Sequence, residues 1–526
     1  MSKHWRKRLV GLGGIGATLG WSVPAHAHAF GQRYDLPVPL WLYLAGAGAA
    51  VALSFAAVGL FVRSNPGLHA YPRLNLLRWR GGRFLAHPFT LFVVKLFALG
   101  VFVLVILTGY LGNQNPIRNV TPTMVWIIWW VGLAFVSPLL GNLWALINPW
   151  KISFAWAEAL YRRFRPGEKL SAHHSYPRWL GVWPGVILFV AFAWAELVWD
   201  GSVVPLKLSF AATVYSLITW FGMFLFGREQ WLRNGEAFSV AFGILARFAP
   251  TEVRVRNPAV CQTCSSVEYG STECGHKDEG CVNCYECFNR ADESDREWNL
   301  RPPAVGLIRD GGVPLSMVVF VLLVLSTVTF DGFTETPPWV KIVFSFYNSF
   351  QWMGGYEGPL ISTLGLVGFP VLFLGIYFIF CALMATASDN RLSTGKMASL
   401  FVFSLVPIAI AYHLSHNLSF LLVQGQGIIR IASDPFGFGW DLLGTAQYRI
   451  NIGLIGARFI WFTSVIAIVL GHIISVYLAH VMALRAMRER KPALRSQYPM
   501  LVLMVIYTVV SLWILAQPIV ETAPAG

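Results

Sequence analysis

Stretches of about 20 consecutive apolar residues recur about ten times along the chain, separated by short polar segments. Runs of this length predict helices that cross a membrane. Because lipid offers no hydrogen-bond partners, a spanning helix satisfies its backbone groups internally. The pattern therefore predicts an all-α polytopic membrane protein in contact with the lipid bilayer. The expected spans cover 39–62, 88–111, 124–147, 180–199, 207–227, 312–330, 360–386, 399–424, 454–484 and 499–520.

Every second loop between these runs is basic. The loops at 63–87, 148–179 and 485–495 each carry at least five Lys or Arg residues, and the intervening loops carry few. Basic loops are retained in the cytoplasm. The alternation predicts a multi-pass protein of the bacterial inner membrane, with both mature termini outside.

The composition excludes a soluble globular enzyme. The chain has 526 residues, of which 56% are hydrophobic and only 13% charged, whereas soluble proteins carry about 25% charged residues. The formal net charge is +14. In this setting the excess of basic residues indicates cytoplasmic loops that face anionic lipid headgroups, and no nucleic-acid partner is expected. The sequence identifies no partner subunit.

The first residues have the layout of a secretory signal peptide. A basic start, MSKHWRKR, precedes an apolar stretch and then SVPAHAHAF, in which Ala25 and Ala27 occupy the small-residue positions of a cleavage site. The alternative is an uncleaved anchor helix. Cleavage after Ala27 would make His28 the new N-terminus, with an amine and an imidazole able to chelate a metal such as copper.

Polar segments divide the remaining chain into three predicted domains. Residues 28–250 form an N-terminal membrane bundle of about five spans, and residues 312–526 form a C-terminal bundle of about five more. Between them, residues 251–311 form a small Cys-rich cytoplasmic insert. Residues 229–249 alternate polar and apolar positions at helical spacing, which suits a helix lying on the inner membrane surface or an extension of the fifth span.

The insert has the composition of a metal site. Six of the seven cysteines fall within 27 residues. Thiols stay reduced in the cytoplasm, and pairs separated by two residues can place both sulfurs on one ion. The pattern favours structural zinc, with an iron–sulfur cluster and disulfides as alternatives. The predicted ligands are Cys261, Cys264, Cys274, Cys281, Cys284 and Cys287, and His276 is a spare candidate.

Ionisable residues inside the predicted spans are the second group of candidate functional residues. Placing such a residue in lipid costs free energy, so those that occur there commonly have a function. His413 and His416 share one face of the eighth span, and His472 lies within the ninth. Three imidazoles can hold a second divalent metal and activate its bound water. Asp331 and Glu196 are expected to support this chemistry. The alternatives are a haem between the two spans and histidines that only join helices.

Several stretches resemble a bacterial family of integral membrane proteins known as fenitrothion hydrolases. They extend along most of the chain and include HAFGQRYDLPVPLWLY, FAWAELVW, STVTFDGFTETPPW and AYHLSHNLSFLL. The resemblance implies a polytopic inner-membrane protein that hydrolyses an organophosphorus triester. It implies no residue roles.

The sequence favours a membrane-embedded hydrolase that uses a metal-bound water on an apolar small-molecule substrate. A metal would polarise the phosphoryl oxygen and supply hydroxide. Two alternatives stay open. One is a transporter of metal ions or small solutes, which suits about ten spans with intramembrane charges. The other is electron transfer through haem and an iron–sulfur cluster.

Overall fold

The computed structural model describes residues 34–62, 71–262, 281–308, 311–487 and 489–521. The predicted signal peptide at 1–27 lies outside these residues, together with His28, Cys264, Cys274 and His276.

Ten helices in the described chain are long and apolar enough to cross a membrane, which confirms the predicted all-α polytopic fold. In chain order, spans 1 to 10 are Leu40–Phe61, Pro88–Leu111, Val120–Leu139, Arg178–Leu197, Pro205–Phe226, Leu315–Thr334, Glu357–Ala387, Thr394–Ser433, Ala457–Ala486 and Arg490–Ile519.

Shorter helices connect or cover the spans. They are Arg80–Leu85, Trp144–Ile147, Pro149–Phe164, Arg228–Asn234, Ala237–Ala246, Pro258–Gln262, Tyr285–Arg290 and Pro337–Ser349. Strands are few and short. They are β1 (Tyr34–Asp35), β2 (Leu74–Asn75), β3 (Thr251–Val255), β4 (Cys281–Val282), β5 (Arg296–Leu300) and β6 (Val520–Glu521).

Spans 6 and 8 form the centre of the bundle. About three-quarters of the most apolar stretch of each is buried inside the protein, 72% in span 6 and 78% in span 8. Only 6% of span 2 and 17% of spans 1 and 7 are buried, so their apolar side chains face outward, where lipid would cover them. Polar residues on spans 6 and 8 are therefore shielded from the bilayer by the other helices.

Residues 229–249 form two helices rather than one helix on the inner surface or an extension of span 5. Gly227, with φ of 85°, ends span 5, and a second break at Gly235 separates Arg228–Asn234 from Ala237–Ala246. Eight of the ten residues in Ala237–Ala246 are buried. The helix is apolar on nearly every face, and such a helix packs inside a protein rather than at an interface.

The Cys-rich insert shares a four-stranded sheet with another loop. The strand order is β2-β5-β3-β4, with all neighbours antiparallel. Strand β2 comes from the loop between spans 1 and 2, whereas the other three belong to the insert. The insert is thereby joined to one end of the bundle, called here the insert end. The opposite end is the far end.

Both described ends of the chain lie together at the far end. Strand β1 directly precedes span 1 and strand β6 directly follows span 10. The two strands pair in parallel, with Tyr34 beside Val520. An even number of spans returns the chain to the side on which it began, so this pairing agrees with the count of ten.

The buried carboxylate of Glu252 holds the sheet to the loop between spans 1 and 2. It accepts hydrogen bonds from Tyr71 (2.7 Å), Arg73 (2.6 Å) and Arg301 (2.9 Å). Burial alone would raise the pKa of the Glu252 carboxyl. The charge of Arg301 and the hydrogen bonds from Tyr71 and Arg73 outweigh burial and lower this pKa.

We expect Glu252→Gln to lower the free energy of unfolding by about 3 kcal/mol, because it leaves the buried Arg301 without its counter-charge. A lowered pKa stabilises the fold above the ordinary value of 4.5, and this stabilisation declines as the pH falls through the folded-state pKa. Thermal unfolding of the detergent-purified protein at neutral and acid pH measures both effects. The exposed Glu168→Gln is the control. An unfolding temperature of Glu252→Gln equal to that of the wild type would refute the role of Glu252.

Candidate functional site

The centre of the far half of the bundle contains a histidine–carboxylate pair. His416 on span 8 lies with its Nε2 atom 2.9 Å from Oδ2 of Asp331 on span 6. The His416 side chain is 7% exposed and that of Asp331 is 31% exposed. Asp331 is therefore the more accessible member of the pair. Because spans 6 and 8 are the two most buried helices, their packing brings this pair together inside the membrane-spanning region.

Glu196 and His413 extend the pair into a larger polar cluster. The Glu196 carboxyl, near the end of span 4, is close enough to Asp331 and to the Trp130 side chain to interact electrostatically with both. His413 lies one helical turn before His416, and its ring packs edge-on against Trp130 at 5.9 Å. Nε2 of His413 is buried and has no hydrogen-bond partner among the described residues. We call Glu196, Asp331, His413 and His416 the far-end cluster.

A close approach between spans 6 and 8 fixes the position of Tyr412, which lies beside the far-end cluster. Gly332 follows Asp331 directly, and a Cβ atom built on Gly332 would lie 2.5 Å from the Tyr412 hydroxyl and 3.1 Å from Ile514. The Tyr412 side chain is fully buried. The absence of a side chain at position 332 thus allows the tyrosine to lie against span 6.

His472 lies apart from the other two histidines. Spans 8 and 9 pack with Ser464 opposite Ser415 and with Gly471 against Pro407 and Ala411. His416 is therefore level with Ser464, which is eight residues from His472, or roughly 12 Å along the helix. The His472 ring contacts Tyr507, and its Nδ1 lies 2.8 Å from the Ile468 carbonyl.

The expected set of three histidines on one ion is consequently not brought together. In the described parts of the chain, the only group of three His, Cys, Asp or Glu ligand atoms within 4.8 Å of one another is formed by cysteines. The structure instead brings His416 together with Asp331 and places His413 and Glu196 near this pair. Metal or haem binding by these side chains stays a prediction.

A layer of aromatic side chains lies between the far-end cluster and the insert end. We call Trp129, Trp130, Phe192, Phe238 and Phe242 the aromatic layer. Span 3 contains a nine-residue π-helix, Thr123–Val131. The neighbouring residues Trp129 and Trp130 belong to it, and both of their rings pack toward the bundle centre. The Trp129 ring packs against Phe238 (4.5 Å), and the Trp130 ring packs against Phe192 (4.9 Å). Single segments of π-helix are rare and occur frequently at functional sites.

A second buried carboxylate lies on the other side of this layer. Glu236 is fully buried and caps the helix Ala237–Ala246 through the backbone N–H groups of Phe238 and Ser239. Its carboxylate also accepts hydrogen bonds from the hydroxyls of Tyr215 and Ser239, both at 2.6 Å. Sequence reasoning missed this residue. An acidic residue directly before an apolar helix was the available signal, since such residues often cap helix N-termini.

A cavity of about 390 Å³ opens at the insert end. Asn148 and Ser239 line it, and both side chains also lie against the Glu236 carboxylate. The helix Ala237–Ala246 separates the cavity from the aromatic layer, with Ser239 and Gly243 toward the cavity and Phe238 and Phe242 toward the tryptophans. These pairs are four residues apart, so each pair shares one face of the helix.

The described cysteines of the insert form a buried cluster. The sulfurs of Cys261, Cys281 and Cys287 all lie within 4.8 Å of one another. Cys261 and Cys281 are at disulfide-bonding distance, and Cys284 and Cys287 are buried thiols. The same sulfurs therefore admit two chemical states, a disulfide or a set of thiolates around a metal ion. Cys381, in span 7, is fully buried and distant in sequence from this cluster.

Comparisons of the chain with family models, with curated proteins and with solved structures find no match.

We expect Gly332→Ala to destabilise the protein by about 1–3 kcal/mol, because its methyl group would overlap the buried Tyr412 hydroxyl. Removing that hydroxyl in the double variant Gly332→Ala/Tyr412→Phe should recover part of the loss. Thermal unfolding of the purified variants measures both, with Gly375→Ala in span 7 as a control, since a Cβ there meets open space. Equal unfolding temperatures for Gly332→Ala and the wild type would contradict the close approach of spans 6 and 8.

Proposed function

We propose that this polytopic membrane protein transports a divalent metal cation and that the far-end cluster is its intramembrane binding site. The observation that carries the proposal is the His416–Asp331 pair, held at 2.9 Å between the two central spans. Ionisable residues inside a membrane bundle commonly mark ion pathways. Imidazole and carboxylate together suit zinc, manganese and related divalent ions.

The incomplete donor set supports transport over permanent binding. Structural metal sites have a full set of protein ligands, commonly four for zinc. In the far-end cluster, His416 and Asp331 supply two donor atoms, and no third His, Cys, Asp or Glu donor among the described residues lies within 4.8 Å of both. His413 and Glu196, which both interact electrostatically with Asp331, are the proposed further donors. A site with only two close donors binds its ion weakly enough to release it, and transport requires this release.

The two-sided arrangement of the bundle also supports transport. The far-end cluster lies on one side of the aromatic layer, and Glu236 and the cavity lie on the other. A carrier that exposes its site alternately to the two sides of a membrane needs a barrier between two polar compartments, and we assign this role to the aromatic layer. The basic loops favour a cytoplasmic insert end, so the far-end cluster would face outside. We therefore infer uptake of the cation from the outer side of a bacterial inner membrane.

Hydrolysis of an apolar organophosphorus triester is the second candidate. Three of the stretches that carry the resemblance to fenitrothion hydrolases, FAWAELVW, STVTFDGFTETPPW and AYHLSHNLSFLL, contain Glu196, Asp331, His413 and His416. The resemblance therefore includes the far-end cluster, although it extends along most of the chain and implies no role for these residues. A carboxylate that holds an imidazole is a common arrangement for activating water, with or without a metal. Lipid around the bundle would deliver such a substrate.

We expect Asp331→Asn and His416→Ala each to reduce divalent-cation uptake by about 10–100-fold, because each removes one of the two close donors. Uptake of Zn²⁺ and Mn²⁺ into proteoliposomes with an internal metal-sensitive dye measures this effect. The exposed substitutions Asp389→Asn and His174→Gln are matched controls that should retain wild-type uptake.

Three outcomes separate the two candidates. Metal uptake that Asp331→Asn abolishes supports the transporter. Wild-type protein that transports neither metal, but hydrolyses fenitrothion in a reaction that the same substitution abolishes, overturns the transporter in favour of the hydrolase. Uptake that is unaffected by both Asp331→Asn and His416→Ala overturns the site.

We propose separately that the insert holds one structural zinc ion. The Cys261, Cys281 and Cys287 sulfurs are buried and lie within 4.8 Å of one another, so they supply three of the donors that a structural zinc site uses. Sulfurs around one zinc ion lie roughly 4 Å apart, so the reduced Cys261 and Cys281 sulfurs would separate from their disulfide-bonding distance to bind it. Cys284, also buried, is close in sequence to two of them. The zinc would hold the insert together, since a segment this small has little core of its own. Under the alternative, the Cys261–Cys281 disulfide would serve this purpose.

We expect detergent-purified protein to contain about one zinc ion per chain and Cys287→Ser to lose it, because Cys287 belongs to the thiolate set but not to the disulfide. Elemental analysis measures the zinc, and Cys381→Ser is the matched control. Protein purified without reductant that contains no zinc and yields a disulfide-linked Cys261–Cys281 peptide on mass spectrometry would overturn the zinc proposal.

A further inference from the structure

The wall of the cavity at the insert end contains more basic than acidic side chains. Its volume is about 390 Å³, within the range of small-molecule sites. Four basic residues line it, namely Lys151, Arg178, Arg233 and Arg247, against only two acidic ones, Glu229 and Glu286. The wall therefore has an excess of two positive charges.

Each acidic side chain of the wall already has a basic partner outside the wall. Glu229 pairs with Arg228 at 3.1 Å, and Glu286 pairs with Arg290 at 2.6 Å. Burial would raise the pKa of the Glu229 carboxyl, but the charges of Lys151 and Arg228 outweigh burial and lower this pKa, so the carboxylate stays ionised beside its cations. Each carboxylate therefore interacts with one basic residue of the wall, Lys151 or Arg233, and with one outside it, and the wall keeps more basic than acidic residues.

Arg233 has a hydrogen-bond donor that no described residue uses. Its Nη1 atom is buried and has no hydrogen-bond partner among the described residues. Its Nη2 atom lies 3.7 Å from Glu286, which is longer than a hydrogen bond. A buried guanidinium donor without a partner is costly, and an anion in the cavity would satisfy it.

The same cavity has an apolar side. Val240 and Ile244, four residues apart on the helix Ala237–Ala246, line it together with Val313, just before span 6, and Met317 in the first turn of span 6. A bare inorganic anion would leave these side chains in contact with water. A molecule with an anionic head and an apolar body would cover them while its head meets the basic residues.

The insert closes the cavity on one side. Asn283, Cys284, Tyr285 and Glu286 all line it, and they belong to the segment between Cys281 and Cys287. The Lys151 ammonium lies 6.0 Å from the centre of the Tyr285 ring, which connects the insert to the basic wall. Any ligand in the cavity would therefore contact both the membrane bundle and the insert.

We propose that this cavity binds a small amphiphilic anion whose head is a phosphate and whose body is apolar. Arg233 and Lys151 bind the head, while Val240, Ile244 and Met317 contact the body. Two sources supply this chemistry, a soluble phosphomonoester and the phosphate headgroup of an anionic lipid. Binding requires no movement of the spans, so the test of this site is independent of the proposed transport.

The test uses the full-length protein in detergent and phenyl phosphate as the soluble probe. Isothermal titration should show saturable binding that is absent for the uncharged benzyl alcohol. We expect Arg233→Gln and Lys151→Gln each to weaken binding roughly tenfold or more, because each removes a charge-assisted contact. Arg162→Gln is the matched control, since Arg162 lies near the same end but is exposed and outside the cavity wall.

A second arm identifies the source of the anion. The protein is placed in nanodiscs of phosphatidylcholine, with or without phosphatidylglycerol, and retained lipid is counted by native mass spectrometry. Retention of phosphatidylglycerol that Arg233→Gln removes supports the site with a lipid as occupant, whereas binding of phenyl phosphate alone supports it with a soluble ligand.

Wild-type protein that binds neither probe overturns the proposal. So does Arg233→Gln protein that binds them as the wild type does. An Arg233→Lys variant guards against simple misfolding, because it keeps the charge and should retain partial binding. If Arg233→Gln lowers the unfolding temperature, the comparison of Lys151→Gln with Arg162→Gln decides the outcome.

Discussion

The hydrogen bond between His416 and Asp331 is the interaction on which the organisation of the far half depends. Two polar side chains inside an apolar bundle are costly unless they satisfy each other, and the 2.9 Å contact does so. It requires spans 6 and 8 to meet in one register. The close approach of Tyr412 to Gly332 next to the pair fixes that register by packing. The position of the far-end cluster and the packing of spans 6 and 8 therefore depend on the same register between these two helices.

Carboxylates are buried in the sheet, beside the cavity and in the far-end cluster, and each has a different environment. Glu252 in the sheet is surrounded by cationic and phenolic donors, so it joins the insert to a membrane loop. Glu236 is enclosed by hydroxyls and by the N-terminus of a buried helix, which satisfy it without a counter-charge. Glu196 lies beside another carboxylate and an indole. Like charges in proximity favour binding of a proton or a cation, as Glu196 and Asp331 in the far-end cluster would.

The aromatic layer connects the two proposed sites physically. Trp130 contacts His413 on the far side, and Trp129 contacts Phe238 on the helix that lines the cavity. The proposed cation site and the proposed anion site therefore lie on opposite sides of this layer. The helix Ala237–Ala246 contacts the layer with one face and lines the cavity with the other.

The sequence by itself determined the ten spans, because the thickness of a bilayer fixes the length of an apolar helix and this signal is local. It also singled out Glu196, Asp331, His413 and His416, since ionisable residues stand out in apolar runs. Only the tertiary structure decided which of these meet. A shift of a few residues in register moves a side chain by several ångströms, and so His472 lies apart from His416. Strand β2 joining the insert and the burial of Ala237–Ala246 likewise depend on contacts between distant segments, which no local pattern encodes.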